Sequence, residues 1–466
     1  MSQRKATTLL SDNGLQLPPS RGKLQLLHQS ILFNNRHPQF GAELAASRDA
    51  RKVLLSQLTS ASNRDRRRRL LSRYFRNAKV ALAYVFDALK DRKQLGDHTP
   101  QSIHELASLI DPFHRSGQPV ERRTLQKGSK SPRATFSFGP IDKATQAMVS
   151  DAIRALHPSR EFQFTFRGVP SALAEVSNAV ARGYVFGLEV DVVGFYPHVT
   201  LPSLHMALRY LPRTVTESTV WTGLPSQSGQ ECSYSSNANG PGFRGSFELA
   251  QGSVCSAAAG EALLGMILAN LSPSVVVVNY ADNIYLLART MAAVFSARQH
   301  LAVLLGDLPG GPLEIADKCE AHDLRKGFST FLGCEASWDA SAGQLIWQPT
   351  DLARGKIEFE VDSLFSTPDT MRRAVGRVYS YYDCCRNWPE KANWAFVHLA
   401  ELEAKSVLIT GGCVQQSARR IFRFWQKTEG LVPLGFLLPP PPLPGSIERG
   451  RFEQLVSQLC SLSQRA

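Results

Sequence analysis

Apolar positions recur at helical spacing from about Arg21 to Asp111, so the chain is expected to open with helices. Inside that region Val80, Ala81, Leu82, Ala83, Tyr84, Val85 and Phe86 form an unbroken apolar run. Gln118 to Pro140 loses the periodicity. With Lys127, Gly128, Lys130, Pro132, Arg133 and Gly139 it reads as an exposed basic loop or hairpin. A helical pattern resumes from Asp142 to Leu156, and strand-like and helix-like segments then alternate through Trp347. Two apolar runs read as strands: Val185 to Val193, and Val275 to Ala288, which a turn interrupts. Between them Ser226 to Gly245, rich in Ser, Gly and Asn, predicts a loop. Gln251-Gly252-Ser253, Ser256 and the small residues to Gly260 predict a flexible turn that feeds a helix over Glu261 to Asn270. Beyond Thr350 helices return. Thr367-Pro368 supplies an N-cap and first turn for a helix carrying Arg372, Arg373 and Arg377, and Leu438 to Pro444 is a polyproline linker or brace.

Composition turns this pattern into a class. A chain of 466 residues exceeds one compact core, and 43% hydrophobic with 20% charged residues is globular. The 53 Lys+Arg against 40 Asp+Glu leave a formal charge of +13, which calls for a polyanionic partner. An anionic membrane surface fits the charge equally well, but no apolar stretch reaches the ~20 residues that span a bilayer. The start, Met1-Ser2-Gln3-Arg4-Lys5, lacks the apolar core of a signal peptide, so a cytoplasmic location is expected. The 8 cysteines show no C-x-x-C spacing and are expected to be buried, reduced thiols. Arg64, Arg66, Arg67, Arg68, Arg69, Arg73 and Arg76 crowd one stretch with few acids between them. They form either a solvated face or a contact for a nucleic-acid backbone.

Four segments carry candidate chemistry. Leu188-Glu189-Val190-Asp191 ends an apolar strand in a carboxylate, and Phe195-Tyr196 follow. Gln251-Gly252-Ser253 offers backbone that a base or sugar can approach closely. Tyr280-Ala281-Asp282-Asn283 puts a carboxylate at the turn between two apolar strands. Lys318, after Gly311-Pro312-Leu313, precedes Phe331-Leu332-Gly333-Cys334. Each alone has an ordinary explanation: a capping Asp, a loop before a tightly packed helix, an Asp-Asn turn, an exposed Lys.

In this order and combination, they resemble reverse transcriptases. Asp191-x-x-x-Phe195-Tyr196 is similar to motif A, Gln251-Gly252-Ser253-x-x-Ser256 to motif B, and Tyr280-Ala281-Asp282-Asn283 to the Y-A-D-D box of motif C. Lys318 and Phe331-Leu332-Gly333 match motifs D and E, while Phe166-Arg167-Gly168-Val169-Pro170-Ser171 resembles a fingers segment of group II intron-like enzymes. The resemblance spans roughly Lys127 to Ser337.

It implies an α+β right-hand polymerase with an antiparallel palm sheet packed on helices. The expected organisation is a basic helical extension over 1–125, fingers over 126–185 and palm over 186–350. A helical thumb over 351–430 and a Pro-rich linker with a C-terminal helix over 431–466 complete it. The resemblance implies Asp191, Asp282 and the Val192 carbonyl as ligands of two magnesium ions, with manganese as a substitute, and Lys318 as proton donor to the leaving pyrophosphate. It also implies Arg133, Tyr196, Gln251 and Gly252 at the dNTP, with Tyr196 under the sugar to exclude a 2′-hydroxyl. Arg66, Arg67, Arg68, Arg69, Lys127, Lys130 and Arg167 are the expected nucleic-acid contacts. Implied partners are a template RNA, in particular a dedicated non-coding RNA, the DNA product, and either a second subunit or a homo-oligomer, with no membrane.

The short motif A and basic N-terminus look like bacterial defence-associated or abortive-infection reverse transcriptases acting against phage; a retron or group II intron-derived enzyme is the alternative. One departure stands out. Asn283 occupies the place of the second motif C acid, which removes a charge near the metals and leaves a non-catalytic RNA-binding subunit as a third reading.

Overall fold

Asn63 and Asn77 each accept a backbone N–H three residues on, from Arg66 and Val80, and so start two successive helices. Prolines at the first turn, where a missing N–H costs nothing, start five others. These caps set the frame of the N-terminal half in a computed structural model that describes residues 30–92, 94–127, 130–221, 249–316, 320–327, 329–353, 355 and 457. The expected thumb, the Pro-rich linker, the Ser226 to Gly245 loop and Lys318 lie outside the described residues.

The chain forms two units, Leu26–Leu332 with Ala340–Gln344, and Met1–Gln25 with Gly333–Asp339 and Leu345–Ala466. In the first unit, helices α1 (Pro38–Thr59), α2 (Arg64–Phe75), α3 (Ala78–Asp91) and α4 (Pro100–Ser108) precede a hairpin of β1 (Glu121–Lys127) and β2 (Lys130–Ser137). The hairpin therefore begins inside the segment expected to be the helical extension. Helices α5 (Pro140–Leu156) and α6 (Val169–Ala181) then lead into β3 (Phe186–Asp191) and α7 (Leu201–Ala207). After α8 (Val254–Leu268) come β4 (Val276–Tyr280), β5 (Asn283–Ala288), α9 (Met291–Gly306), β6 (Ala321–Asp323) and β7 (Ser329–Phe331).

The unbroken apolar run makes α3 the central helix: every residue from Val80 to Phe86 is buried, and α1, α4 and α5 pack around it. A helix apolar all round still carries polar groups that need partners. The Tyr74 and Tyr84 hydroxyls lie 2.6 Å apart, and Tyr84 donates to Asp151 at 2.5 Å. Burial raises both phenols far above their ordinary pKa, so they act as protonated hydrogen-bond links. Asp87 is gripped by Arg48 (2.7 Å), Arg51 (3.2 Å) and Lys90 (3.3 Å). Desolvation pushes its pKa up, but these cations outweigh it and hold the carboxyl below its usual value.

The principal sheet has the order β4-β5-β3-β6, with every pairing antiparallel. Leu188 and Val190 of β3 are fully buried, whereas Ile284 to Ala288 of β5 are buried on both faces, as a central strand requires. The architecture is therefore a mixture of helices and antiparallel sheets. In the second unit, β8 (Cys334–Asp339) and β9 (Gln344–Pro349) are neighbouring strands whose buried positions, Cys334, Ala336, Leu345 and Trp347, alternate with more open ones.

One expected element changes. The helix expected at Glu261 starts at Val254, because the Ser253 side chain caps it by accepting the Cys255 N–H. The small residues Ala257 to Gly260 are thus the first turns of a packed helix rather than a flexible turn. The two described cysteines, Cys255 and Cys334, are buried free thiols, and burial raises the pKa of Cys255.

Candidate active site

Strand pairing decides where the two expected carboxylates go. Asp191, the last residue of β3, is the register partner of Asn283, the first residue of β5. Asp282 directly precedes Asn283, in the two-residue turn Ala281-Asp282 that joins β4 to β5. Both acids therefore reach the same end of the sheet from different strands. Glu189 shares the face of β3 that carries Asp191, since side chains two apart point the same way. Burial, and then the neighbouring charge of Asp191, pushes the Glu189 carboxyl up to about 7.

A turn that displays a carboxylate has to be held, and this one is held from below. Ala281 adopts φ +52°, a left-handed conformation that costs a non-glycine residue about 1 kcal/mol or more. Its N–H donates to Thr165 Oγ1 at 2.8 Å, and its carbonyl accepts from Asn279 Nδ2 at 2.8 Å. The same Asn279 amide donates to the Asn283 carbonyl at 3.2 Å. Asn279 is fully buried, and its backbone N–H and C=O pair with Phe162 and Phe164 at 2.8 Å each. Gln163, also buried, donates to the Glu261 carbonyl at 2.8 Å and to Asn279 Oδ1 at 3.4 Å. Nothing in the periodicity of the sequence flagged Gln163, Thr165 or Asn279. The only available signal was a polar Asn at the end of the apolar run Val275 to Val278.

The motif A stretch bends sharply after Asp191. Val193 N–H donates to the Glu314 carbonyl and Ala316 N–H to that of Asp191, each at 2.9 Å, and neither bond draws on the carbonyl of Val192. Gly194 is left-handed at φ +53°, with the His198 ring in the space a Cβ would need, and it starts the one-turn helix Phe195–His198. Phe195 is buried and meets Tyr196 edge to face at 5.3 Å. Burial first, then the charges of Asp282 and Glu261, raises the Tyr196 phenol to about 12, so it is protonated at neutral pH and lies within the field of Asp282. Glu261 is itself buried and accepts from Ser159 Oγ at 3.1 Å.

Helix α8 presses on this arrangement. A Cβ on Gly260 would come within 2.9 Å of the Phe195 ring. At its start, the carbonyl of Gln251 accepts the Phe136 N–H at 2.7 Å, which ties the β1–β2 hairpin to the turn. Gly252 has φ +109°, and a Cβ there would strike the Phe136 carbonyl. Gln146 of α5 accepts the Val254 N–H at 3.2 Å, so α5, the hairpin and α8 meet at one point.

The expected nucleic-acid contacts separate. Arg66, Arg68 and Arg69 are exposed on α2, and none of the four arginines 66 to 69 forms an ion pair among the described residues. Arg67 instead turns back, donating to the Ala61 carbonyl at 2.9 Å and lying 4.5 Å over the Tyr210 ring. Arg167 also turns back. It donates to the carbonyls of Gln163, Arg160 and Glu161 at 3.0, 2.8 and 2.6 Å, and so braces the loop that supports Asn279. Arg133, Lys127 and Lys130 sit in the hairpin, with Arg133 opposite Leu125 and Lys127 opposite Lys130 in the register. The strand register places these three residues; it does not place their side chains.

No protein-family model matches the chain, and no curated protein matches it. Among solved structures, telomerase from Candida albicans, in a complex with a fragment of telomeric RNA, overlaps it with a TM-score of 0.32 and 11% sequence identity. The overlap covers 66% of this chain and 63% of that one, so less than two thirds of the telomerase chain is spanned. No described helix is long and apolar enough to cross a membrane.

The oxygens that could hold a metal at this end of the sheet are the carboxylates of Asp191 and Asp282, with the carbonyl of Val192, the residue after Asp191, as the further expected donor. Such a set suits magnesium, which keeps several waters and binds through one or two carboxylates plus substrate phosphates. Among the described residues no three His, Cys, Asp or Glu side chains form a cage for a metal, so the remaining ligands would be water and substrate.

Proposed function

We propose that the chain is a template-directed DNA polymerase of the reverse-transcriptase kind, copying RNA with dNTPs. The observation that carries this reading is the register of Asp191 with Asn283, which brings the Asp191 and Asp282 carboxylates to one sheet end beside Tyr196. Asp191, Asp282 and the Val192 carbonyl would hold the divalent ions, which supply charge neutralisation at the attacking 3′-oxygen and the leaving pyrophosphate. The chain's own part is positioning. Asn279 and Thr165 fix the Asp282 turn, the tie between Phe136 and Gln251 joins the hairpin to the turn before α8, and Arg133 of that hairpin is the proposed triphosphate contact. Tyr196, protonated and packed on Phe195, lies under the sugar and excludes a 2′-hydroxyl. Lys318 is the proposed proton donor to the leaving group. The setting we favour is bacterial antiphage defence in the cytoplasm, with a dedicated non-coding RNA as template.

The test is primer extension by Asp191→Asn and Asp282→Asn. Each should lose about a thousandfold in rate, on the order of 4 kcal/mol of barrier, while remaining folded. Near-normal extension by either folded variant would overturn the assignment. A second reading, a polymerase-like RNA-binding subunit without activity, draws on Asn283. Its amide donates to the Tyr280 carbonyl at 3.5 Å, a bond no carboxylate can make. A wild type inert at every magnesium and manganese concentration, with an active Asn283→Asp, would establish that reading instead.

A further inference from the structure

Away from the carboxylate end, two guanidinium groups from distant parts of the sequence lie over one aromatic ring, and a third, Arg160, follows three residues after the histidine that approaches the same ring. Arg67 of α2 lies 4.5 Å over the Tyr210 ring. Arg209 lies 5.0 Å over the same ring and donates to its hydroxyl at 3.1 Å. His157, at the end of α5, approaches that ring at 5.6 Å. Burial, and then the fields of Arg209, Arg67 and Arg160, depresses His157 to about 4. Burial is the larger cause and the three nearby cations add to it, so His157 stays neutral at working pH.

Three like charges repel one another. Stacking on an exposed ring returns only about 0.5–1 kcal/mol per pair. Among the described residues none of the three arginines has a carboxylate within ion-pair distance. Arg160 and Arg209 are exposed; Arg67 gives its Nε to the Ala61 carbonyl and also hydrogen-bonds the Tyr210 side chain, and a guanidinium with five N–H donors keeps others beyond these bonds. Forked guanidinium donors match a phosphate in geometry as well as in charge.

We propose that Arg67, Arg160 and Arg209, set around Tyr210 and His157, form a cradle for a backbone phosphate of single-stranded RNA outside the catalytic end. A nucleic-acid strand is favoured over a lone anion because the positive surface continues on both sides. Arg66, Arg68 and Arg69 stand exposed on the helix that carries Arg67. One helical turn before His157, Arg154 lies 4.2 Å over Phe166, whose side chain is 44% exposed. Alternating guanidinium and aromatic groups suit a flexible strand, whose phosphates and bases alternate in the same way. The choice of RNA rests on the polymerase reading above.

The experiment measures binding of a labelled single-stranded RNA in EDTA without dNTPs, across a range of sodium chloride, so catalysis is not involved. Arg160→Gln/Arg209→Gln should weaken binding and flatten the log–log salt slope by about 0.7, the share of the one phosphate no longer neutralised. Arg209→Lys, which keeps the charge, should leave most of the slope. In the wild type, bound RNA should raise the NMR titration midpoint of His157, because phosphate neutralises its neighbours; this readout does not depend on any variant folding. An unchanged slope together with an unmoved His157 would overturn the cradle. Equal competition by poly-glutamate of matched charge would also overturn it, since a general polyanion surface would then suffice. Primer extension run in parallel keeps the two proposals apart: a wild type that binds in this way but makes no DNA would sink the polymerase reading alone.

Discussion

The β3–β5 sheet and the β1–β2 hairpin are both antiparallel, yet they are held by opposite means. The sheet has a central strand buried on both faces, and a buried amide network beneath its turn. Among the described residues, the hairpin meets a small apolar cluster, Val120, Phe136, Phe138 and Ala250, and a backbone bond to Gln251. A site whose geometry must not drift is built on the first kind of support. In the polymerase proposed above, a part that opens for an incoming nucleotide and closes on it would be served by the second, because little packing is disturbed when it moves. Support at the carboxylates and support at the hairpin are therefore separable properties of this chain.

The largest test of that separation attacks the sheet. Asn279→Leu leaves the Ala281 and Asn283 carbonyls without their donor in a fully buried place, at a cost of about 3 kcal/mol. Thermal melting should fall by about 5–10 °C, and DNA synthesis should fall with it. A Tm within a degree of wild type would show that the amide network does not stiffen the turn. Gly252→Ala attacks the hairpin's tie, where a Cβ meets the Phe136 carbonyl at a left-handed φ. Here the melting temperature should barely move, while KM for the dNTP rises about tenfold, or about 1.4 kcal/mol of binding. A large loss of Tm with unchanged KM would reverse the assignment of the two supports. The smallest effect is expected from Asn283→Asp, which adds one negative charge beside the carboxylates without altering either support. The magnesium concentration for half-maximal rate should drop a few-fold, and metal titration of extension rates reads it directly.

The two carboxylates were visible in the sequence because each stands at the end of an apolar strand, and apolar strands announce themselves over a few residues. The basic hairpin between Gln118 and Pro140 was visible for a similar reason. What supports them was not. Gln163 and Asn279 are 116 residues apart, and no local pattern links a polar residue to a partner at that distance. Helix α8 starts early because one serine caps it, a single hydroxyl that small-residue composition concealed. Arg67 and Arg167 look like their exposed neighbours in sequence. Only the nearby carbonyls of Ala61 and of residues 160 to 163 reveal that their guanidinium groups also hold backbone.

The close approach of Gly260 to the Phe195 ring bears on how such a site can change over generations. An alanine at 260 arriving first would push the ring, and with it the neighbouring Tyr196, so that variant carries an immediate penalty. A smaller side chain at 195 arriving first opens a gap that a later alanine at 260 can fill. The two positions are therefore epistatic: an alanine at 260 presses on the ring, a smaller side chain at the buried 195 leaves a cavity, and each change carries a penalty that the other can offset. The helix after the Gln251-Gly252 turn and the bend after Asp191 form one inherited pair, and changes to either should accumulate as coupled steps.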